Sequence, residues 1–456
     1  MYFSRSVVKR CFLGAFFGVS CVVGLFFLVT SWFYITCPVY QFEEQQPFSG
    51  TKFYNPYQTM ADDAWMKCIF HLHTKSWLGL TNGENTFEET MAAYRQLNYD
   101  VIAVSDYMQI NRNESEELHP HASAFAGMTS GSSLPVYEHG YNVKKVHQLA
   151  LGAGKVVWRD YLFKQNLHHK QHIIDVLKKH STLVAINHPS MRSSYLPADF
   201  KYLRGYDLME VLNGTHISEE AWDAALSGGY PAWLIANDDS HSVNNPLRLQ
   251  REVTYVNIPT PHSSDAPTPH SSDAPKSRSS YTPSSRSSDA PKSSSSGMLT
   301  GNDVLNRLSQ GVAFGVHFPR KQQATMEERR RESEAVTFPV SIQVDGDTLQ
   351  VVWQQTMQQI AFIGDNGKIR KTVTGSDSAS YVFQPEDTYI RVKLTSPENL
   401  VYYLNPVVRY SGGFPVAPSC SQIDHGKTCL KRVVFALVFG IIIAHIIMFL
   451  RKKVRR

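Results

Sequence analysis

Two histidines stand two residues apart at His71 and His73, and five more donors of the same kind follow at wide intervals: Glu138, His147, His188, Asp239 and His241. On an extended strand residues i and i+2 face the same side, so His71 and His73 can both reach one point. Imidazole and carboxylate donors without thiolates suit Zn, Mn or Fe, whereas a Cys-rich set would mark a structural zinc site. The number of donors suits two divalent ions sharing a carboxylate bridge, with a donor left over for a third.

The elements that must position these donors lie between about residues 60 and 258. Short apolar runs without alternation (KCIF, VIAV, LPVY, TLVAI, LMEV and WLIA) suit strands buried on both faces, as in a parallel sheet with helices outside. Helical stretches are predicted at Thr86 to Leu97, opened by the capping box Thr86-Phe-Glu-Glu89, and at His168 to Lys179, with Ile173, Ile174, Val176 and Leu177 on one face. The runs end in His71-Leu-His73, Ser105-Asp106, Glu138-His139, Asn187-His188, Asn213 and Asp238-Asp239-Ser-His241. Barrels of parallel strands build their sites at strand C-terminal ends. An α/β domain that gathers these donors at one end is the expectation.

In chain order, HLHTKSWLGLTNG, YDVIAVSD, LPVYEHG, VHQLALG, VAINHP, DLMEVLNG and NDDSH resemble the successive motifs of the PHP (polymerase and histidinol phosphatase) family of metal-dependent phosphoesterases. The resemblance covers about 60 to 258 and extends weakly to GNDVLNRLSQGVAFGV; YIRVKLTSPENLVYYLNPVV resembles the β-domain of some exported members. It implies a distorted seven-stranded (β/α) barrel. By motif, His71, His73 and Asp239 would bind a first ion, Glu138 would bridge, His147 and His188 would complete a second, and His241 would be a third-ion ligand or a general acid. Two positions depart from the pattern. Ser105-Asp106-Tyr107 stands where Thr-Asp-His is usual, and Thr81-Asn82-Gly83 replaces the usual residues after the histidine pair; His119, His121 or His139 could compensate, or be ordinary loop histidines.

The expected reaction is hydrolysis of a phosphate ester by water activated between cations. Asp106 would orient a ligand or water, while Arg192 and Asn213 would bind substrate, the arginine holding phosphate bidentately. An amidohydrolase-type enzyme is the runner-up metal hydrolase, and a catalytically inactive metal-binding scaffold at the membrane is the alternative from another class.

Charge placement narrows the partners. The formal +5 includes +3 from Arg5, Lys9 and Arg10 and +8 from residues 427 to 456, so the stretch between carries −6. A nucleic-acid footprint would put its basic surplus on the folded body, so no nucleic-acid partner is expected. Residues 11–36 hold no charged side chain and 433–450 form a second uncharged run, each long enough for a membrane helix. Basic tails at 1–10 and 451–456 predict both ends cytoplasmic and the domain between them extracytoplasmic, with Lys431 and Arg432 dissenting. The substrate would be a phosphorylated small molecule or a component of the cell envelope.

Residues 259–298 repeat TPHSSDAP and SSDAPK, a tract too poor in apolar residues to build a core, whose His262 and His270 make a poor metal site. Residues 299–319 read as the end of the hydrolase domain, and 336–412 alternate short β-rich stretches with turns, predicting a small antiparallel sandwich. Cys420 and Cys429 could pair or stay free, and Asn113 and Asn213 head glycosylation sequons.

Overall fold

The computed structural model describes residues 5–62, 64–111, 134–259, 299–319, 321–412 and 421–454. His119, His121, the repeat tract with His262 and His270, Asn113 and Cys420 lie outside them, and with them the question of a Cys420–Cys429 bond. The first apolar run is helix α1 (Arg5–Thr36), and strands β1 (Tyr40–Gln41) and β2 (Lys52–Tyr54) follow. The donor-bearing region runs through β3 (Trp65–Ile69), α2 (Phe87–Gln96), β4 (Val101–Ile102), β5 (Val136–His139), β6 (Gln148–Leu151), α3 (Leu167–Lys178), β7 (Leu183–Ile186), β8 (Leu208–Asn213), α4 (Glu219–Ser227), β9 (Trp233–Asn237), β10 (Glu252–Asn257), α5 (Gly301–Ser309) and β11 (Ala313–His317). After α6 (Met326–Glu334) come β12 (Pro339–Asp345), β13 (Thr348–Gly364), β14 (Lys368–Val382), β15 (Tyr389–Thr395), β16 (Val401–Leu404) and β17 (Val407–Tyr410), then β18 (Gln422–Ile423) and α7 (His425–Val454).

Local chemistry sets the helix starts. The Thr86 hydroxyl accepts from Glu89 N at 3.2 Å while the Glu89 carboxylate accepts from Thr86 N at 2.9 Å, the reciprocal capping the sequence predicts. Helix α3 begins one residue earlier than expected because Asn166 caps it by accepting from His169 N. Ile173, Ile174 and Leu177 are buried on its inner face; Val176, expected among them, is only half-buried.

The strands form two main sheets rather than one barrel with continuous ladders. Five strands run in the order β5-β6-β7-β8-β9, with β7-β8 and β8-β9 parallel but β5-β6 and β6-β7 antiparallel. The connection from β5 to β6 holds no helix and is too short for a parallel crossover, so that pair must turn back on itself. Strands β3 and β4 are parallel and belong to the other sheet. Among the described residues, single bridges rather than a ladder join the two sheets here, Leu72 with Ser240 and Tyr107 with Glu138, both at the ends that carry the candidate donors.

That second sheet has eleven strands and runs on into the C-terminal region. Its order is β12-β13-β15-β16-β11-β10-β3-β4, with β14 on β13 and β17 joining β15 to β2. The strands expected as a free-standing sandwich are therefore an extension of the sheet that carries β3 and β4, because β16 lies antiparallel on β11, from Phe314 opposite Leu404 to His317 opposite Val401. Without β16, the β11 edge would present unpaired backbone groups to solvent. Phe314 meets Trp353 and Tyr402 across the join, with ring centroids 5.9 and 6.1 Å apart.

A buried ion cluster fastens the same two regions. Arg391 on β15 donates to both carboxylate oxygens of Asp223 at 2.8 Å and to Glu219 at 3.0 Å, and Lys393 reaches Glu219 at 2.7 Å.

At the other pole β1 pairs with β18, Asp424 N donates to Val39 O at 2.8 Å and Val39 N to Thr428 Oγ1 at 2.9 Å. The two helices that are long and apolar enough to cross a membrane, Gly14–Thr36 and His425–His445, thus meet the folded body side by side. Lys431 and Arg432, anomalous by charge placement, cap the end of α1: they donate to the carbonyls of Cys37 and Thr36 at 2.9 and 3.1 Å.

Two stability measurements test these joins. Arg391→Ala leaves Asp223 with a buried, uncompensated charge and should lower unfolding free energy by about 3–5 kcal/mol in a urea titration. Glu252 on β10 contacts His317 on β11 at 2.8 Å, and burial pushes its carboxyl up to about 7 from 4.5. A raised carboxyl favours the fold below its unfolded value and loses that contribution as pH climbs to its folded value. The protein should therefore lose stability relative to Glu252→Gln between pH 4.5 and about 7, and keep a constant difference above that.

Candidate metal centre

His71 and His73 leave the end of β3 on one side of the chain, with Leu72 between them buried in the apolar core. Their Nε2 atoms are 3.2 Å apart. Asp239, just past β9, places Oδ1 at 3.2 Å from His71 Nε2 and 3.3 Å from His73 Nε2. Glu138 on β5 reaches into the same space, with Oε1 3.3 Å from His71 Nε2 and Oε2 3.2 Å from His73 Nε2. Its Oε1 also lies 2.8 Å from His147 Nδ1 and 3.2 Å from His188 Nε2. The hairpin β5-β6 delivers His147, and Gly140 in its turn must lack a side chain: at φ +128° a Cβ would stand 2.5 Å from the His147 ring.

The structure thus brings together His71, His73, Glu138, His147, His188 and Asp239, all of them nearly inaccessible. Their atoms include two triads that could hold an ion, His71–Glu138–His188 and His71–His73–Asp239. Two of these residues pay a backbone strain: His188 has φ +27° and Asp239 φ +49°, conformations non-glycine residues hold mainly at functional positions.

Second contacts lock the donors. Glu210, within β8, accepts from His71 Nδ1 at 2.9 Å, from His188 N at 3.0 Å, and from Asn213 and Asn237. That pins the His71 tautomer with Nε2 facing the cluster. The sequence carried a signal for Glu210, a carboxylate inside an otherwise apolar run, but only its terminal Asn213 stood out. Asn213 donates to Glu210 at 3.1 Å and to Asp239 Oδ2 at 3.2 Å, while its carbonyl oxygen accepts from Thr215. The amide is fully engaged and buried, so it orients donors rather than binding substrate, and a glycan has no access to it.

Asp106 meets the donor set through its backbone, its carbonyl accepting from Glu138 N at 3.3 Å. Its carboxylate accepts from Thr74 N and Oγ1 at 2.7 and 2.6 Å and from Asn111 at 2.8 Å, which fixes the chain just past His73. Asp238 faces away, accepting from the backbone of residues 250–252 and from Tyr94. Arg192 is exposed and donates to the Val143 carbonyl at 3.1 Å. His139 is buried with both ring nitrogens engaged, by Gln148 and the Arg159 carbonyl, so it is neither a surface histidine nor a spare ligand. Thr81 bonds back to Ser76, folding the Thr81-Asn82-Gly83 turn onto its own loop.

Tyr107 fills the place where the motif pattern has histidine. Its ring stacks on His73 with centroids 4.3 Å apart, and its hydroxyl is 3.4 Å from His241 Nε2. Burial, helped by Glu138, pushes the phenol upward, so it remains protonated. His241 Nδ1 lies 2.9 Å from the Asp239 carbonyl, which leaves the Nε2 lone pair toward the Tyr107 hydroxyl. Burial and the neighbouring His73 push His241 down to about 4. That favours the uncharged imidazole at neutral pH, a form suited to be a ligand or proton acceptor.

Electrostatics and satisfaction test whether divalent ions fit. Burial alone would lower His71, but Asp239, Glu210 and Glu138 pull it well above an ordinary imidazole. Burial would raise Glu138 and Asp239, yet His147 and His71 beside the first and His71 and His73 beside the second hold both well below the usual carboxylate range. Despite these close approaches, His73 Nδ1, His188 Nδ1, Glu138 Oε2 and Asp239 Oδ1 make no hydrogen bond. Nitrogen and oxygen at 3.2–3.3 Å without hydrogen-bond geometry match the edge of a tetrahedron, about 3.3 Å for metal–ligand bonds of about 2.0–2.1 Å. The donors fit a Zn-, Mn- or Fe-type cation.

No family model matches the chain, and no curated protein matches it. Among solved structures, a two-domain protein from Bacteroides vulgatus containing a predicted PHP-like metal-dependent phosphoesterase is 13% identical, over 80% of this chain and 99% of that one, with a TM-score of 0.37.

Glu210→Gln keeps the shape but removes the carboxylate behind His71. Cation affinity should fall about 10- to 100-fold, read by competition with a chromogenic chelator.

Proposed function

We propose that this protein is a membrane-anchored, extracytoplasmic phosphoesterase dependent on divalent cations. The observation that carries the reading is the buried cluster around Glu138, in which Glu138 Oε2 and Asp239 Oδ1 lie 3.2–3.3 Å from imidazole nitrogens without hydrogen-bonding to them. The ordered motifs that resemble the PHP family direct the choice to phosphate esters, and the seven strands β3 to β9, bridged at the donor end, are consistent with its distorted barrel. His71, His73 and Asp239 would hold one ion, His147 and His188 a second, and Glu138 would span both. Such a pair supplies a nucleophile from water at neutral pH and neutralises charge on a phosphoryl group.

The chain's own groups do the rest. Glu210 and Asn213 keep His71 and Asp239 aimed inward. Tyr107 keeps its phenol proton and offers it to an oxygen of the bound ester, while His241 presents a lone pair beside it. Lys145, whose ammonium lies 5.2 Å from the centre of the Tyr107 ring, is a cation for the phosphate, whereas Arg192 donates to the Val143 carbonyl. The paired apolar helices support anchoring, and the flanking basic tails favour cytoplasmic ends.

Glu138→Ala should abolish both metal retention and turnover of p-nitrophenyl phosphate with added Mn, measured by elemental analysis and absorbance on one sample. Retained metal with full activity would sink the bridging role. Bound ions in the native chain without turnover of any phosphoester would favour a metal-stabilised scaffold.

A further inference from the structure

The fold leaves a run of large apolar side chains in water beside the donor cluster. Leu78 and Leu80 are 103% and 88% exposed, Trp158 57%, and Trp77 and Phe163 are exposed as well. A single exposed leucine calls for no account, but a connected group of this size does. Trp77 and Leu78 are moreover held at φ +52° and +55°, a conformation their side chains disfavour, which presents them outward.

This rim connects the cluster to the first apolar helix. On the cluster side, Trp77 Nε1 donates to the Tyr107 carbonyl at 2.8 Å, and Tyr107 stacks on His73. Trp77 meets Trp158 edge-on with centroids 5.7 Å apart. On the helix side, Arg159 donates to Thr36 Oγ1 at 2.8 Å and covers the Phe33 ring, while Phe163 N donates to the Tyr34 hydroxyl at 2.8 Å. The path from the last turn of α1 to His73 is thus lined by tryptophan, tyrosine and phenylalanine, the residues that favour the membrane–water boundary. Inside the rim the character changes to cationic at Lys145 and then to the donors. Apolar outside, cationic within, is the order of groups that an anionic amphiphile would meet on entering.

We propose that the substrate is a phosphoester borne by a lipid of the membrane that α1 and α7 cross, with the Trp77–Leu80 loop and Trp158 set into the interface to receive it. This rests on the phosphoesterase and membrane readings above. A phosphate on a soluble sugar would make no use of the rim, whereas a lipid entering from the bilayer keeps its chains in apolar surroundings while its phosphate reaches the cluster.

The full chain in phosphatidylcholine vesicles, containing phosphatidic acid as a monoester and phosphatidylglycerol as a diester, provides two independent readouts. Brominated lipid should quench a fluorescence component that disappears in Trp77→Phe, Trp158→Phe. If that component is absent, or is shielded from brominated lipid and aqueous iodide alike because protein covers the rim, the proposal is overturned. In the second readout, Leu78→Asp, Leu80→Asp should lower the ratio of vesicle-lipid to p-nitrophenyl phosphate turnover about tenfold or more. An unchanged ratio, or a native chain that cleaves the soluble ester and neither lipid, also overturns it. A quenched rim on a chain that cleaves no ester separates the failures: the rim is interfacial, and the phosphoesterase reading falls with the substrate assignment.

Discussion

Glu138 is a carboxylate in the interior, and burying such a charge is costly unless it is fully compensated. Four imidazoles approach it, from the end of β3, from the start of β6 and from the turn after β7. The surrounding architecture serves that convergence. Strands as short as β4 and the tails beyond β3 and β9 leave their ladders to turn donors inward, and isolated bridges stand there in place of a continuous ladder between the two sheets. A closed ladder would have given more backbone hydrogen bonds and less freedom to aim side chains. The positive φ values of His188 and Asp239 belong to the same compromise, since local conformation is sacrificed to the position of a side chain.

The outer contacts explain how so many polar groups stay oriented. Glu210, Asn213, Asn237 and Asp106 are each engaged with two or more partners, so the side chains they hold have little rotational freedom left. Such a network fixes donors before any ligand arrives, which reduces the reorganisation needed on binding.

The donors were legible in the sequence: all but His147, which precedes the run of β6, stand where an apolar run stops, a pattern visible without any knowledge of pairing. Glu210 was not, since a charged residue inside such a run gives no sign of which neighbour it will meet. Asn213 and Arg192 stood beside motifs and were read as substrate contacts; whether an amide or guanidinium is already engaged depends on residues far along the chain, such as Asp239 and Val143. The helices at 87–96 and 167–178 were close to expectation because caps and periodicity are local. Sheet continuity across β11 and β16 was hidden, since a strand pair carries no mark in either partner and a charged helix intervenes. The two long apolar helices followed from length and composition, while the role of Lys431 and Arg432 needed the three-dimensional neighbourhood of the α1 end.

The pairings of β1 with β18 and of β2 with β17 impose an order of events on synthesis. Strands β1 and β2 have no ladder partners until β18 and β17 have been made, and the second edge of β11 waits for β16 in the same way. Loop closure over most of the chain length is slow and leaves sheet edges open meanwhile. The newborn chain must therefore wait for its far end before its edges are sealed, and its aggregation hazard is concentrated in that interval.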